Sequence, residues 1–255
     1  MKERIPMLKR VLFTYSLTVF SFVPAFAGGV PTTTSMTADQ LIRKNVAARG
    51  GDNAWQQVST MTMTGRMDVG KGLQVPYTMD LKRGRKVRVE IVFAGKTAVQ
   101  VYDGAKGWKV RPFLGRNDVE PYTPEEQQKA AMDSDIDGLL VGYAAKGTKA
   151  QIEGVEKVEG RDAYKVKLVL KGGQERRVWI DAETYLELKI DGTRRLDGKP
   201  RMVSTYFRDY RTVNGLMVPF VFETAVDGVK TSEKIDVEKV VVNPKLDDAL
   251  FAKLR

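Results

Sequence analysis

From Met61 to Phe113, apolar residues fall on every second position. Met61, Met63 and Met67 share one side, and Thr62, Thr64 and Arg66 the other. Tyr77, Met79 and Leu81 then alternate with Thr78, Asp80 and Lys82, and Val87, Val89, Ile91 and Phe93 with Lys86, Arg88 and Glu90. Residues 96–102 supply a further strand, and Asp103-Gly104 turns the chain before Trp108 and Val110. Side chains alternate across a strand, so the spacing predicts a sheet with one apolar and one solvated face. Strands are expected again over 150–158, 163–170, 175–181, 186–195, 201–210, 216–224 and 229–242. Gly172-Gly173, Asp197-Gly198, Asn214-Gly215 and Asp227-Gly228 are the tight-turn signals between them. Adjacent hairpins make an antiparallel meander. Leu186, Leu188 and Ile190 should face inward together, as should Leu216, Val218, Phe220 and Phe222. The phase change between Val237 and Val240 predicts a bulge near Glu238-Lys239. About eleven strands are too many for a flat sheet, so twist should curl it toward a barrel.

Helical signals are fewer. Thr37 or Asp39 can cap a helix through about Arg49, with Leu41, Ile42 and Val46 as its stripe and Gly50-Gly51 as its stop. A shorter turn carries Ala54, Trp55 and Val58; Trp55 reads as an anchor on the sheet or as a ligand contact. After Phe113 a polar connection leads to Tyr122. Thr123-Pro124-Glu125-Glu126 then starts a helix to about Met132: a capping hydroxyl, proline in the first position and acids at the positive end of the dipole. A second helical stretch is expected over 136–145, with Leu139, Leu140, Val141 and Tyr143, ended by Lys146-Gly147.

The first 27 residues stand apart from the fold. A basic start (Lys2, Arg4, Lys9, Arg10), an apolar run from Val11 to Val23 and the small-residue site Ala25-Phe26-Ala27 read as a secretory signal peptide cleaved after Ala27. The run is short for a membrane span of about 20 residues, which disfavours an uncleaved anchor. Residues 28–37 are small, polar and proline-containing, a flexible lead-in to a single domain over 38–255. The chain has no cysteine, so neither a disulfide nor a lipidated cysteine is expected, and the reading is a soluble periplasmic protein. The mature length, about 228 residues, can bury a core without staples. The leader carries four Lys/Arg and one Glu, so the mature form keeps +7 of the formal +10. Such a surplus suits an anionic membrane surface or simply a solvated basic exterior; export argues against nucleic acid.

With no histidine and no cysteine, Ser-His-Asp and Cys-His catalysis are excluded, and transition metals lose their usual ligands. No enzyme activity and no cofactor are expected. The segment from Asp133 to Gly138 (DSDIDG) matches the first half of a calcium loop, but Ala144 stands where the closing bidentate Glu belongs. The plainer reading makes Asp135 or Asp137 a helix cap. Arg83 falls on the apolar face when counted by twos from Tyr77. An inward guanidinium needs acceptors, for which the free carbonyls of a helix C-terminus are suited; alternatively the strand has ended and Arg83 lies in an exposed turn.

Several stretches resemble the LolA-like family of periplasmic outer-membrane lipoprotein-sorting proteins: LIRKNVAARGGDNAWQQVSTMTMTGRM, MDLKRGRKVRVEI, VYDGAKGWKV, DSDIDGLLVGY, GRDAYKVKLVLKGG, VWIDAETYLELKI and FRDYRTVNGLMVPFVFET. The similarity covers most of residues 38–255 through turn and strand signatures, with no catalytic fingerprint. It implies a mainly β (α+β) fold, one strongly curved antiparallel sheet forming an incomplete barrel, with helices covering the concave apolar side. It also implies an apolar cavity for acyl chains, and a Lys-Arg strand segment whose arginine holds and gates the helical cover, here Lys82-Arg83. The segment 124–146 departs from the family in looking longer and more helical. On this resemblance the cavity lining falls to Met61, Met63, Met67, Tyr77, Met79, Leu81, Val87, Val89, Ile91, Leu139 and Leu140, with Arg83 as gate. Flexible methionines suit variable cargo, or they pack the core. The function implied is a periplasmic carrier that delivers a lipid or lipoprotein toward the outer membrane between inner- and outer-membrane partners. The alternative is a lipid-sensing regulatory module on the same fold.

Overall fold

Thr37 starts the first helix by accepting a hydrogen bond from the Gln40 amide while the Gln40 side chain returns one to the Thr37 amide. The computed structural model describes residues 36–70, 72–196 and 198–254, with the backbone alone for Leu196. The expected leader over 1–27, and the lead-in as far as residue 35, lie outside the described residues. Helix α1 (Ala38–Ala48) is followed by a short α2 (Asp52–Gln56). Six strands come next: β1 (Thr60–Asp68), β2 (Gln74–Lys82), β3 (Lys86–Phe93), β4 (Lys96–Asp103), β5 (Gly107–Arg111) and β6 (Arg116–Pro121). Helix α3 (Pro124–Asp133) has the expected capping box at Thr123, with Pro124 and two acids in its first turn. Seven further strands complete the chain: β7 (Lys149–Val158), β8 (Arg161–Val169), β9 (Glu175–Asp181), β10 (Glu187–Leu196), β11 (Lys199–Val213), β12 (Leu216–Val226) and β13 (Glu233–Val242).

All thirteen strands form one antiparallel sheet in the order β6-β5-β4-β3-β2-β1-β13-β12-β11-β10-β9-β8-β7, whose edges β6 and β7 do not pair. The open barrel matches expectation; the strand number does not. Trp108 and Val110, expected after the Asp103-Gly104 turn, fall on β5; the unforeseen strand is β6, in what reads as a polar connection, and it pairs with β5 at one edge. Strand β6 reads RNDVEP and lacks apolar alternation, because an edge strand can keep both faces wet. The second expected helix, 136–145, is instead a run of turns. Gly138 and Gly142 adopt φ of +74° and +60°, and each breaks the helical backbone.

The alternation in β1 to β3 places its apolar residues in common rows: Leu81 lies beside Met61 and Val87, Met79 beside Met63 and Val89, and Tyr77 beside Ile91. The bulge expected near Glu238 is present, since Thr64 pairs with Lys239 but Gly65 with Val237. Gly65 permits that close approach; a β-carbon there would stand 2.1 Å from the Asp236 carbonyl oxygen. A second bulge overturns one expectation. Register slips between Glu187 and Lys189, so Leu188 joins Trp179 and Val158 on the outer face while Ile190 stays with the inner cluster. Leu216, Val218 and Phe220 do bury together, with Phe222 packed against them.

Two apolar clusters occupy the inner face. Trp55 and Val58 from the α2 region, with Ile136 and Val141 from the turns, pack on Met61, Met63, Leu81, Leu216 and Val218. Leu41 and Ile42 of α1, with Leu140, pack on Val166, Leu168, Val178 and Ile180. The C-terminal turn Asp248–Phe251 covers part of the outer face of β3 and β4 and buries Phe251.

Candidate functional site

Strand β2 ends at Lys82, and the Arg83 amide closes the turn on the Ser59 carbonyl at 2.8 Å. The backbone has left the strand, yet the side chain returns under the helical cover. Its Nε donates to the Val58 carbonyl at 2.7 Å, and one terminal nitrogen donates to the Trp55 carbonyl at 2.6 Å. These carbonyls lie at and just past the end of α2, where the last acceptors lack an i+4 amide; that of Trp55 also accepts from the Val58 amide at 3.1 Å. The two terminal nitrogens also grip the Asp137 carboxylate at 2.9 and 2.8 Å. That bond raises the Arg83 pKa above its ordinary value, so the guanidinium stays charged. Asp137 is buried; the Arg83 side chain is 39% exposed and can be reached from solvent.

Asp137 is held from the other side as well. Buried Arg49, the C-cap of α1, donates to the Asp137 carbonyl at 3.1 Å and to Glu187 at 3.3 Å, and lies over the Trp55 ring at 4.4 Å. Trp55 donates its indole N–H to the Arg49 carbonyl at 3.0 Å. Glu187 accepts in turn from the buried Tyr210 hydroxyl, whose pKa burial and the Glu187 charge push well above ordinary. Trp55 therefore stands as an anchor between α1 and the sheet. Asp135 pairs with Lys146 at 2.8 Å and Asp133 with Arg194 at 2.9 Å. The three carboxylates of the calcium-like segment each serve cations of the protein's own, Asp133 holding Lys129 as well as Arg194, and Asp137 directs its carboxylate to Arg83 instead of capping a helix.

Between α1 and the turns lies an apolar groove of about 400 Å³, floored by Ile42, Val46 and Leu140 and walled by Ala47, Tyr143 and Ala144. Tyr143 ties its two walls together by donating to Asp39 at 3.1 Å. Of the lining residues inferred from sequence, Leu140 borders this groove and Leu139 packs with the α1 cluster. Met61, Met63 and Leu81 are buried beneath Trp55, and Tyr77 is buried farther along the same face. Met67, Met79, Val87, Val89 and Ile91 share the inner face and are half-buried. The groove residues of α1 were visible in sequence only as the apolar stripe Leu41, Ile42 and Val46. Nothing in the sequence paired Arg49 with Asp137 and Glu187.

No family model and no curated protein matches the sequence. Solved structures do. A LolA superfamily protein from Nitrosomonas europaea superposes with a TM-score of 0.57 at 15% identity, over 86% of this chain and 99% of that one. A domain named for outer-membrane lipoprotein sorting, from Vibrio parahaemolyticus, gives 0.56 at 14% identity, over 84% and 95%. A DUF1329 family protein from Desulfovibrio piger gives 0.57 at 15% identity, over 84% and 97%. With thirteen antiparallel strands in one unclosed sheet that superposes on these structures over most of its length, this chain has the LolA-like fold.

Proposed function

We propose that the protein is a periplasmic carrier that binds acyl chains of a lipid or lipoprotein and delivers them toward the outer membrane. The observation that carries this reading is the attachment of the cover. One partly exposed arginine, Arg83, joins the α2 carbonyls and Asp137 to the end of β2, beside a ready-made apolar groove. Each methylene moved from water into such a groove gains about 0.8 kcal/mol, so a hydrocarbon chain has reason to enter. Opening the cover further would bring cargo to the half-buried inner-face residues Met67, Met79, Val89 and Ile91. A clasp made of hydrogen bonds and one ion pair is weak enough to exchange when a partner competes for it. The solved neighbours named for lipoprotein sorting support the carrier reading by analogy of fold.

Contact with a membrane is part of the proposal. Val69, Leu73, Phe93 and Leu114 are exposed at the β1–β2, β3–β4 and β5–β6 turns, at the strand ends away from Arg83. Clustered exposed apolar side chains of this kind suit an interfacial contact. Mass spectrometry of the protein purified from its native compartment tests the function. Co-purifying acyl lipid or lipoprotein is expected. A stoichiometric protein partner without acyl species would favour the sensing module, and a protein free of both would end the carrier reading.

A further inference from the structure

Three arginines share one region of the inner face at the ends of β9, β10 and β11. Arg176 lies opposite Gly192, Arg194 lies directly opposite Arg201, and Gly192 and Arg194 point the same way on β10. Like charges directly across a sheet repel, so the Arg194–Arg201 pairing works against the fold unless an anion offsets it. Arg176 is only 5% exposed. Its guanidinium donates to the Glu175 carbonyl at 3.3 Å and to the Met132 thioether at 3.3 Å, and among the described residues it makes no ion pair. A thioether is a weak acceptor, and a cation taken from water without a strong one is costly. Burial accordingly pushes the Arg176 pKa below its ordinary value.

The neighbouring carboxylate, Asp133, offsets Arg194 and acts on Arg176 only through space, without an ion pair to it among the described residues. Asp133, at the end of α3, bonds Arg194 at 2.9 Å and Lys129 at 3.3 Å. Arg201 reaches the Asp227 carbonyl at 3.2 Å. Gly192 makes the arrangement feasible, because a β-carbon there would stand 2.4 Å from a terminal nitrogen of Arg176. The absence of a side chain lets the guanidinium lie flat on β10 with its other edge toward α3.

We propose that Arg176, Arg194 and Arg201 form a binding site for a phosphate-type oxyanion, either free phosphate or the phosphate of a lipid headgroup. Guanidinium forks match phosphate oxygens two at a time, and a buried fork with weak acceptors is the strongest of the three positions. Met132 is the group that the anion displaces from Arg176. The site lies apart from the groove beside α1, so it goes beyond the acyl-chain reading and stands if that reading fails.

Calorimetric titration tests it, with inorganic phosphate and with dihexanoylphosphatidylglycerol below its micelle threshold, in chloride buffer of matched ionic strength. Saturable binding of one equivalent is expected. Arg176→Leu should weaken it by about tenfold or more while leaving the anion-free melting temperature unchanged or higher, since an ill-partnered buried cation is gone. Should that variant fail to fold, Arg194→Gln with Arg201→Gln, both nearer solvent, should weaken binding to a similar degree. Tighter binding of the lipid assigns the headgroup, and equal or tighter binding of the inorganic ion assigns free phosphate. The proposal is overturned if neither ligand binds the wild type, or if binding survives the variants unchanged.

Discussion

Arg83 and Asp137 stand 54 residues apart in the chain and meet through two parallel hydrogen bonds of 2.9 and 2.8 Å. This is the bidentate geometry that makes arginine and carboxylate a specific pair. Arg49 holds the backbone of the same aspartate, so one residue pins the turns to both α1 and the end of β2.

Removing Arg83 should free the cover. In Arg83→Leu, Asp137 stays buried without its partner, the Val58 carbonyl loses its side-chain donor, and the Trp55 carbonyl keeps the Val58 amide. A destabilisation of about 2 kcal/mol is expected in urea melts, less than for a fully buried pair because Arg83 is partly solvated. Arg83→Leu combined with Asp137→Leu should recover part of that loss. An acyl-probe transfer assay should also show altered uptake or hand-over. Unchanged uptake and transfer would remove Arg83 from the proposed release step.

Filling the groove tests where acyl chains enter. Ala144 lines it and is solvent-exposed, so Ala144→Trp adds bulk there without touching the core. Stability should stay within about 0.5 kcal/mol. Acyl-probe affinity, read by fluorescence titration, should fall by about tenfold or more. Full affinity in a stable variant would place the chain elsewhere on the inner face.

Gly50 meets the β11–β12 hairpin at a single point of close approach. Its φ is +113°, and a β-carbon would stand 2.4 Å from the Gly215 carbonyl oxygen. Gly50→Ala should therefore cost about 2 kcal/mol or more through backbone strain and a displaced hairpin. Met217, which donates its amide to the Arg49 carbonyl at 3.1 Å, should lose hydrogen-exchange protection at the same time.

Alkaline pH should act through buried phenols. Burial raises the pKa of Tyr210, as does the nearby Glu187 charge; for Tyr77 burial again leads, followed by Glu233. An acid whose folded pKa lies above its unfolded value of about 10 contributes stability that is complete below pH 10. That stability drains away as pH rises toward the folded values. Urea midpoints should accordingly stay level across pH 8–9 and drop above about pH 10, and Tyr210→Phe should flatten the drop. Phenolate absorbance titrating normally in the folded protein would contradict this.

Much of the fold was legible because short-range rules govern it. The alternation from Met61 to Ile91 set which side chains face inward, and the capping residues Thr37 and Thr123 started their helices where local hydrogen bonding requires. The lost phase before Val240 marked its bulge. Two local readings failed where signals conflicted. Apolar residues from Leu139 to Tyr143 suggested a helix, but Gly138 and Gly142 turned the backbone; at Leu188, a slip in pairing reversed a side chain that simple alternation sent inward. Strand β6 left no apolar trace because an edge strand needs none.

By itself, then, the sequence determined the strand periodicity, the helix starts and the absence of histidine and cysteine chemistry, since each depends on residue type and near neighbours. Only the tertiary structure decided that Arg83 reaches Asp137, that Arg49 reaches Glu187, and that Arg176 lies against Gly192 with no ion pair among the described residues. These pairings depend on how a thirteen-stranded sheet curls and which distant turns it brings under one cover, and sheet curvature is a sum over all strands that no local pattern encodes.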